Sequence, residues 1–309
     1  MEGNLIVSTS PHTKHKDTTR SIMLDVIIAL VPAFLVALYV FGMRSALVVG
    51  TSVASCVISE YVFRKIAKRS NTISDLSAVV TGIILAYNLP VTMPLWMVAI
   101  GGFVAIFIVK QMFGGLGHNF INPAIGARIV LFVSFATAMT TWAVPFSTGA
   151  DIVTGATPLG LLAEGSSALP AYKDLFLGTV GGCLGEVSAA ALLLGGVYLV
   201  IKKVISPIIP VAFIGTVFVF TFALGYDPVY QILSGGLMLG AIFMATDYVT
   251  SPITNTGKII FGIGCGFITT VIRIFGSYPE GVSFAIILMN IVTPLIESAT
   301  LTHPFGGNK

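Results

Sequence analysis

Ten stretches of this chain are apolar over 15 to 25 residues each, with short polar intervals between them (22–42, 45–63, 75–89, 94–109, 124–142, 177–201, 207–224, 232–248, 259–274 and 281–301). A helix rises 1.5 Å per residue, so about 20 residues cross the ~30 Å hydrocarbon core of a bilayer. A soluble fold is excluded by charge. Only 9% of the 309 residues are charged, against about 25% in an ordinary soluble domain, too few to cover a water-facing surface. The runs therefore predict an all-α integral membrane protein of about ten transmembrane helices. Residues 21–302 form one transmembrane domain between a basic tail (1–20) and a short polar tail (303–309). The first apolar run has no small-residue cleavage site after it, which predicts that it stays in the mature protein. The runs 75–89 and 94–109 are short enough to be broken or re-entrant.

The basic residues orient the spans. With the N-terminus in the cytoplasm, twelve lie inside: Lys14, Lys16, Arg20, Arg64, Lys65, Lys68, Arg69, Lys110, Lys202, Lys203, Lys258 and Lys309. Arg44, Lys173 and Arg273 lie outside, and Arg128 falls within a span. Both termini are then cytoplasmic, and the long loop 143–175 is extracytoplasmic. The basic residues form no continuous stripe, so no nucleic-acid partner is implied; the partner surface is membrane lipid.

A faint internal symmetry accompanies this topology. Ser77-Ala78-Val79-Val80-Thr81-Gly82 opens the third run, and Ser234-Gly235-Gly236-Leu237-Met238-Leu239-Gly240 opens the eighth. Asn122-Pro123 opens the fifth, and Asn290 with Pro294 interrupts the tenth. Two units of five spans would be inverted relative to one another, an arrangement that puts binding sites at broken helices near the midplane.

Few residues can carry chemistry. Cys56, Cys183 and Cys265 lie in apolar runs without C-x-x-C spacing, so they read as small apolar residues and not as an iron–sulfur site. No metal-ligand or hydrolase motif is present. Glu60 and Glu297 read as interfacial residues near span ends. Glu186, among glycines at 181–185, and Asp247, in a polar helix end at 244–252, are candidates for an ion path, because a carboxylate in a span must face a cavity or the bundle interior. Asn119 and Asn122 flank Phe120-Ile121 in a glycine-rich loop. Two amides there suit an uncharged, ring-shaped, hydrogen-bonding ligand. They equally suit an asparagine cap with Pro123 as the first helical residue. The loop 143–175 offers Asp151, Thr154, Gly155, Ala156 and Thr157, none of which is needed to cross a bilayer.

Asp151-x-x-Thr154-Gly155-Ala156-Thr157 matches the flavinylation motif D-x-x-[S/T]-G-A-T. With the segments 114–124, 185–188, 234–247 and 278–284, it makes nearly the whole chain resemble the NqrB/RnfD family of membrane redox subunits. The short N-terminal tail is more similar to the Rnf branch than to the Nqr branch, whose members carry a longer extension associated with quinone. The resemblance implies FMN on Thr157 through a phosphoester, attached by a separate flavin transferase that reads the motif in an extended loop. It also implies a non-covalent riboflavin near Asn119 and Asn122. The implied setting is a bacterial cytoplasmic-membrane complex with the A, B, C, E and G subunits of Rnf. That complex would be a translocase moving electrons from ferredoxin to NAD, coupled to sodium or proton transport. Two other readings compete: an inverted-repeat ion or solute permease without a redox role, and a structural membrane subunit.

Overall fold

The computed structural model describes residues 17–147, 154–165, 169–186, 188–276 and 281–301. The helices are α1 (Thr19–Phe41), α2 (Met43–Ile66), α3 (Ser77–Tyr87), α4 (Leu95–Phe103), α5 (Pro123–Ser134), α6 (Ala136–Met139), α7 (Pro158–Ala163), α8 (Tyr172–Leu177), α9 (Ala189–Ile201), α10 (Ile208–Ala223), α11 (Pro228–Leu233), α12 (Leu237–Leu239), α13 (Asn255–Phe275) and α14 (Val282–Thr300). α4 runs on as a π-helix over Val104–Gln111, and α12 as a π-helix over Gly240–Met244. Two residues each of β1 (Trp142–Ala143) and β2 (Thr154–Gly155) pair antiparallel.

The chain is a multi-pass membrane protein. Four helices, α1, α2, α13 and α14, are individually long and apolar enough to cross a bilayer, and five more apolar helices are shorter. Leu35, Val133, Phe222 and Leu295 stand exposed on the outside of the bundle, where lipid is the natural solvent. α1 begins with a capping box in which Thr18 and Ser21 satisfy each other's backbone N–H groups. It ends at Gly42, which is also the N-cap of α2. The φ of +67° there is one that glycine adopts freely, and it reverses the chain in a single residue.

With no hydrophobic force between helices in lipid, close packing and interhelical hydrogen bonds hold the bundle. α2 shows both. The Ser52 hydroxyl donates to the Gly82 carbonyl at 2.7 Å and Ser55 to Ala99 at 2.6 Å. A Cβ on Gly82 would sit 2.7 Å from the Cα of Val53. α1 and α9 cross at Gly195, where a Cβ would collide with the Ala29 carbonyl. Gly262 and Gly266 seat α13 on α10 in the same way.

The structure departs from the predicted spans in four places. The run 177–201 is helical only from Ala189, because Gly178 at φ +105° ends α8 and 179–186 folds back as turns. The run 232–248 is broken by Gly235 and Gly236, at φ +69° and +67°. The loop 143–175 holds β2, α7 and most of α8. Asn290 and Pro294 do not interrupt the last helix, since α14 continues through them.

The crossings lead to two predictions. Gly195→Val must drive α1 from α9, so it should destabilise the protein by at least the about 1–3 kcal/mol typical of overpacking. Gly50→Ala, where a Cβ meets nothing within 4 Å, should be neutral or stabilising by up to about 1 kcal/mol. Thermal unfolding of detergent-solubilised protein measures both.

Candidate functional site

Two clefts lie at opposite ends of the bundle. The end carrying Arg64, Lys65, Lys68 and Arg69 is termed the basic end. Ile22, Met23 and Val26, from the first turns of α1, line the cleft there. At the other end of α1, the Val40 carbonyl accepts from Phe146 N, which attaches the segment containing Thr157. Val26 and Val40 are fourteen residues apart on one helix, about 21 Å.

At the far end, Thr157 is the N-cap of α7. Its backbone is extended (φ −69°, ψ 158°), and its Oγ1 accepts from Gly160 N at 3.1 Å. Pro158 favours that extended conformation and supplies the first helical residue. Thr154, Gly155 and Ala156 are exposed, whereas Thr157 is only 8% exposed. β pairing holds Thr154 and Gly155, and capping holds Thr157, in extended backbone at the start of α7. At Gly155 a Cβ would come within 3.1 Å of Val144 Cγ2, a tight fit that a small shift of that side chain would relieve. Asp151 lies outside the described residues. Thr157 shares a cleft with Glu186, Ser234 and Gly235. Glu186 is half-buried and out of any helix. Its Oε2 accepts weakly from Cys183 N (3.4 Å), and its Oε1 lies against Gly236, where a Cβ would come within 2.6 Å. A second cleft, beside Gly155 and Ala156, is lined by Val144, Pro170 and Gly181. The Tyr172 hydroxyl donates to Asp227, the N-cap of α11, fastening α8 over this end. That hydrogen bond holds the Tyr172 phenol above its ordinary pKa.

At the basic end, Asn119 and Asn122 line one cleft with Asp247, Thr246, Thr81 and Ser77. Its enclosed space is ≈ 110 Å³, short of the about 300–1,000 Å³ of a preformed small-molecule site, so a ring-shaped ligand would need the open mouth of the cleft as well. Val80, Ile84, Ile242 and Phe243 give it apolar walls. Asn122 takes the capping role and bridges to a second element. Its Oδ1 caps α5 by accepting from Ala124 N at 3.0 Å and Ile125 N at 3.4 Å, and its Nδ2 donates to the Met244 carbonyl at 3.3 Å. Asn119 Nδ2 donates to the Ile121 carbonyl at 3.0 Å. The Asp247 carboxylate accepts from Thr250 Oγ1 at 3.1 Å and also from the Asn119 side chain. Asp247 and Asn119 are therefore brought together, while Glu186 belongs to the other end.

Several polar residues matter more than their sequence positions suggested. Glu60 is not interfacial. It is fully buried and paired to Lys110 Nζ at 3.1 Å. Lys110 also donates to Ser77 Oγ at 2.7 Å, and Thr72 Oγ1 donates to Glu60 at 2.6 Å. Lys110 and Arg273 are both buried and so are not loop charges; without them the basic residues still divide eleven to two. Arg273 donates to the carbonyls of Gln231, Ser234 and Gly235 at 2.5, 3.0 and 2.9 Å. Arg128 joins α5 to Asn88 Oδ1 (3.0 Å) and Ser283 Oγ (2.7 Å). Glu297 is half-buried and accepts from Ile253 N at 3.2 Å.

The model of the NQR2, RnfD, RnfE family matches residues 6–306. The chain belongs to that family. It is 51% identical over 312 residues to the D subunit of the Na(+)-translocating ferredoxin:NAD(+) oxidoreductase complex of Acetobacterium woodii, covering 100% of this chain and 97% of that one. It is 45% identical over 316 residues to the D subunit of the proton-translocating ferredoxin:NAD(+) oxidoreductase complex of Clostridium ljungdahlii (97% and 96% covered). To the D subunit of an ion-translocating oxidoreductase complex of Methanosarcina acetivorans the identity is 35% over 302 residues (97% of each).

The buried pair at the basic end yields a stability prediction. Glu60→Ala leaves Lys110 buried without its counter-charge and should cost about 3–5 kcal/mol. Replacing both, Glu60→Gln with Lys110→Met, should cost less than the single change. Thermal unfolding of the two variants against wild type checks the order.

Proposed function

We propose that this chain is the flavin-carrying D subunit of an Rnf-type complex. It is a subunit of an ion-translocating ferredoxin:NAD oxidoreductase. The single observation that carries the flavin reading is Thr157, the last residue of a flavinylation motif. It is held in a fixed turn between two clefts, one of them shared with Glu186. Thr157 Oγ1 would form the phosphoester to FMN, with Thr154, Gly155 and Ala156 exposed beside it for a flavin transferase and Asp151 completing the motif. Because the Thr157 residue is itself largely buried, the transferase has to reach it before this turn closes or after it opens.

Riboflavin would occupy the cleft at the basic end together with its open mouth. The cleft's apolar walls match a flat ring system, and Asn119, Asn122, Thr246 and Asp247 offer donors and acceptors along one rim, the pattern of a site for an uncharged ligand. Bound flavins supply one- and two-electron redox chemistry; the residues orient the rings and exclude water. Asp247 and Glu186 remain the ion-path candidates, one at each end.

The remaining architecture is read in the same way. The basic end faces the cytoplasm of a bacterial inner membrane, both termini lie there, and the segment with Thr157 is extracytoplasmic, within one transmembrane domain. Ten spans form two inverted five-helix repeats. Supporting this, Lys110 at the end of the α4 π-run fixes Ser77 at the start of α3, while Arg273 near the end of α13 fixes Ser234 and Gly235 at the start of α12. The A, B, C, E and G subunits complete the complex. Membership of a family whose relatives are subunits of redox-driven translocases favours this reading over a redox-free permease.

Co-expression with the transferase should give a fluorescent band on a denaturing gel and one FMN of added mass on the peptide containing Thr157. Thr157→Ala should abolish both, and persistence of the fluorescence would reassign the acceptor. Asn119→Ala should leave that band intact. It should weaken retention of non-covalent riboflavin about two- to tenfold, the worth of one hydrogen bond, read from flavin released by acid from the purified complex. Asp247→Asn or Glu186→Gln should reduce ion transport per electron transferred; unchanged pumping in both would leave these residues a packing role.

A further inference from the structure

An apolar groove runs between α9 and α10; it adjoins the basic-end cleft, with Ile205 and Ile242 lining both, and opens on the outside of the bundle. Leu193, Val197 and Ile201 form one wall and Val211, Ile214 and Phe218 the other. No polar side chain lines it, so a quinone, nucleotide or sugar headgroup would find no partner inside. The wall from Leu193 to Ile201 is eight residues long, about 12 Å. That is close to one leaflet of the ~30 Å core and less than half of what a transmembrane helix of another subunit would need. The floor includes Gly215, where a Cβ would meet nothing within 4 Å. The helix-contact glycines Gly195, Gly262 and Gly266 are each filled by a neighbour, so the groove is space that the chain leaves for something else.

The basic end of the groove is marked by charge. Ile201 and Ile205 line it on either side of Lys202 and Lys203. Both lysines are exposed and form no salt bridge among the described residues. Lys202 Nζ lies 5.8 Å from the centre of the Tyr198 ring, and the Tyr198 hydroxyl donates to Asp25 at 2.6 Å, so the nearby carboxylate already has a partner. Paired basic residues at the rim of an intramembrane pocket favour an anionic lipid headgroup.

We propose that this groove seats one anionic phospholipid of the leaflet at the basic end, with an acyl chain between α9 and α10 and its phosphate on Lys202 and Lys203. The site stands on groove and charge alone and is independent of the flavin assignments.

The test uses the assembled complex in nanodiscs of phosphatidylcholine with graded phosphatidylglycerol, washed in detergent and analysed by mass spectrometry for retained lipid. Wild type should keep one phosphatidylglycerol per copy of this chain. Lys202→Gln with Lys203→Gln should reduce the preference for phosphatidylglycerol over phosphatidylcholine by roughly 30-fold, about fivefold per lysine. Gly215→Trp, at a position where an added Cβ has room, puts an indole into the groove and should abolish retention of either lipid. Equal retention of both lipids by wild type and the lysine variant would overturn the proposal. So would a photoreactive group at Val211 that labels another subunit in place of lipid. If Gly215→Trp fails to assemble, the lysine variant and the Val211 label still decide.

Discussion

A helix broken inside a bilayer exposes N–H and C=O groups that no water can reach, and most of this structure follows from where those groups find partners. α3 stops at Tyr87, part-way through the bundle. The carbonyls of Tyr87 and Leu89 accept from Gly185 N and Leu184 N at 2.8 and 3.1 Å. The start of α12 is fixed by Arg273, and the end of its π-run by Asn122 at the Met244 carbonyl. The first of these repairs is backbone to backbone; the other two draw a polar side chain to depth. Asn122 lines the basic-end cleft, and Ser234 and Gly235 line the one at Thr157, so both clefts border a place where the backbone had to be satisfied.

The buried cations belong to the same logic. An unpaired charge in the bundle is expensive, and Lys110 is tolerated because Glu60 and Ser77 meet it. Arg128 and Arg273 spend their donors on amide, hydroxyl and carbonyl oxygens of segments that would otherwise be loose.

How much of this was legible in the sequence depended on range. The apolar runs identified a membrane protein, and the 151–157 string picked out one threonine, because both signals are local. Ser77 and Ser234, matched by their sequence context, do stand at short broken helices: Ser77 opens α3, and Ser234 lies just ahead of α12. The partners of those serines stayed hidden. Lys110 and Arg273 fall at the ends of apolar runs, where a one-dimensional reading assigns charge to water, and only packing turns them inward. Residues 177–186 read as span because they are apolar, yet their glycines fold them into turns. Asn290 and Pro294 read as a break that α14 does not show. Of the two readings that Asn119 and Asn122 allow, the helix cap is met by Asn122, whose oxygen caps α5 while its nitrogen reaches the Met244 carbonyl, a long-range contact that no local pattern announces.

The length of α1 has an electrical meaning. If flavins occupy both clefts as proposed, an electron passing from the basic end to Thr157 moves negative charge along most of the membrane normal. Across a full membrane each such charge is worth about 2.3 kcal/mol per 100 mV. An electron and a cation moving in that same direction carry opposite charges, so their displacements cancel. In that case the membrane voltage would do no net work on one electron and one monovalent cation moving together, and the load on this step would be set by the ion's concentration difference alone.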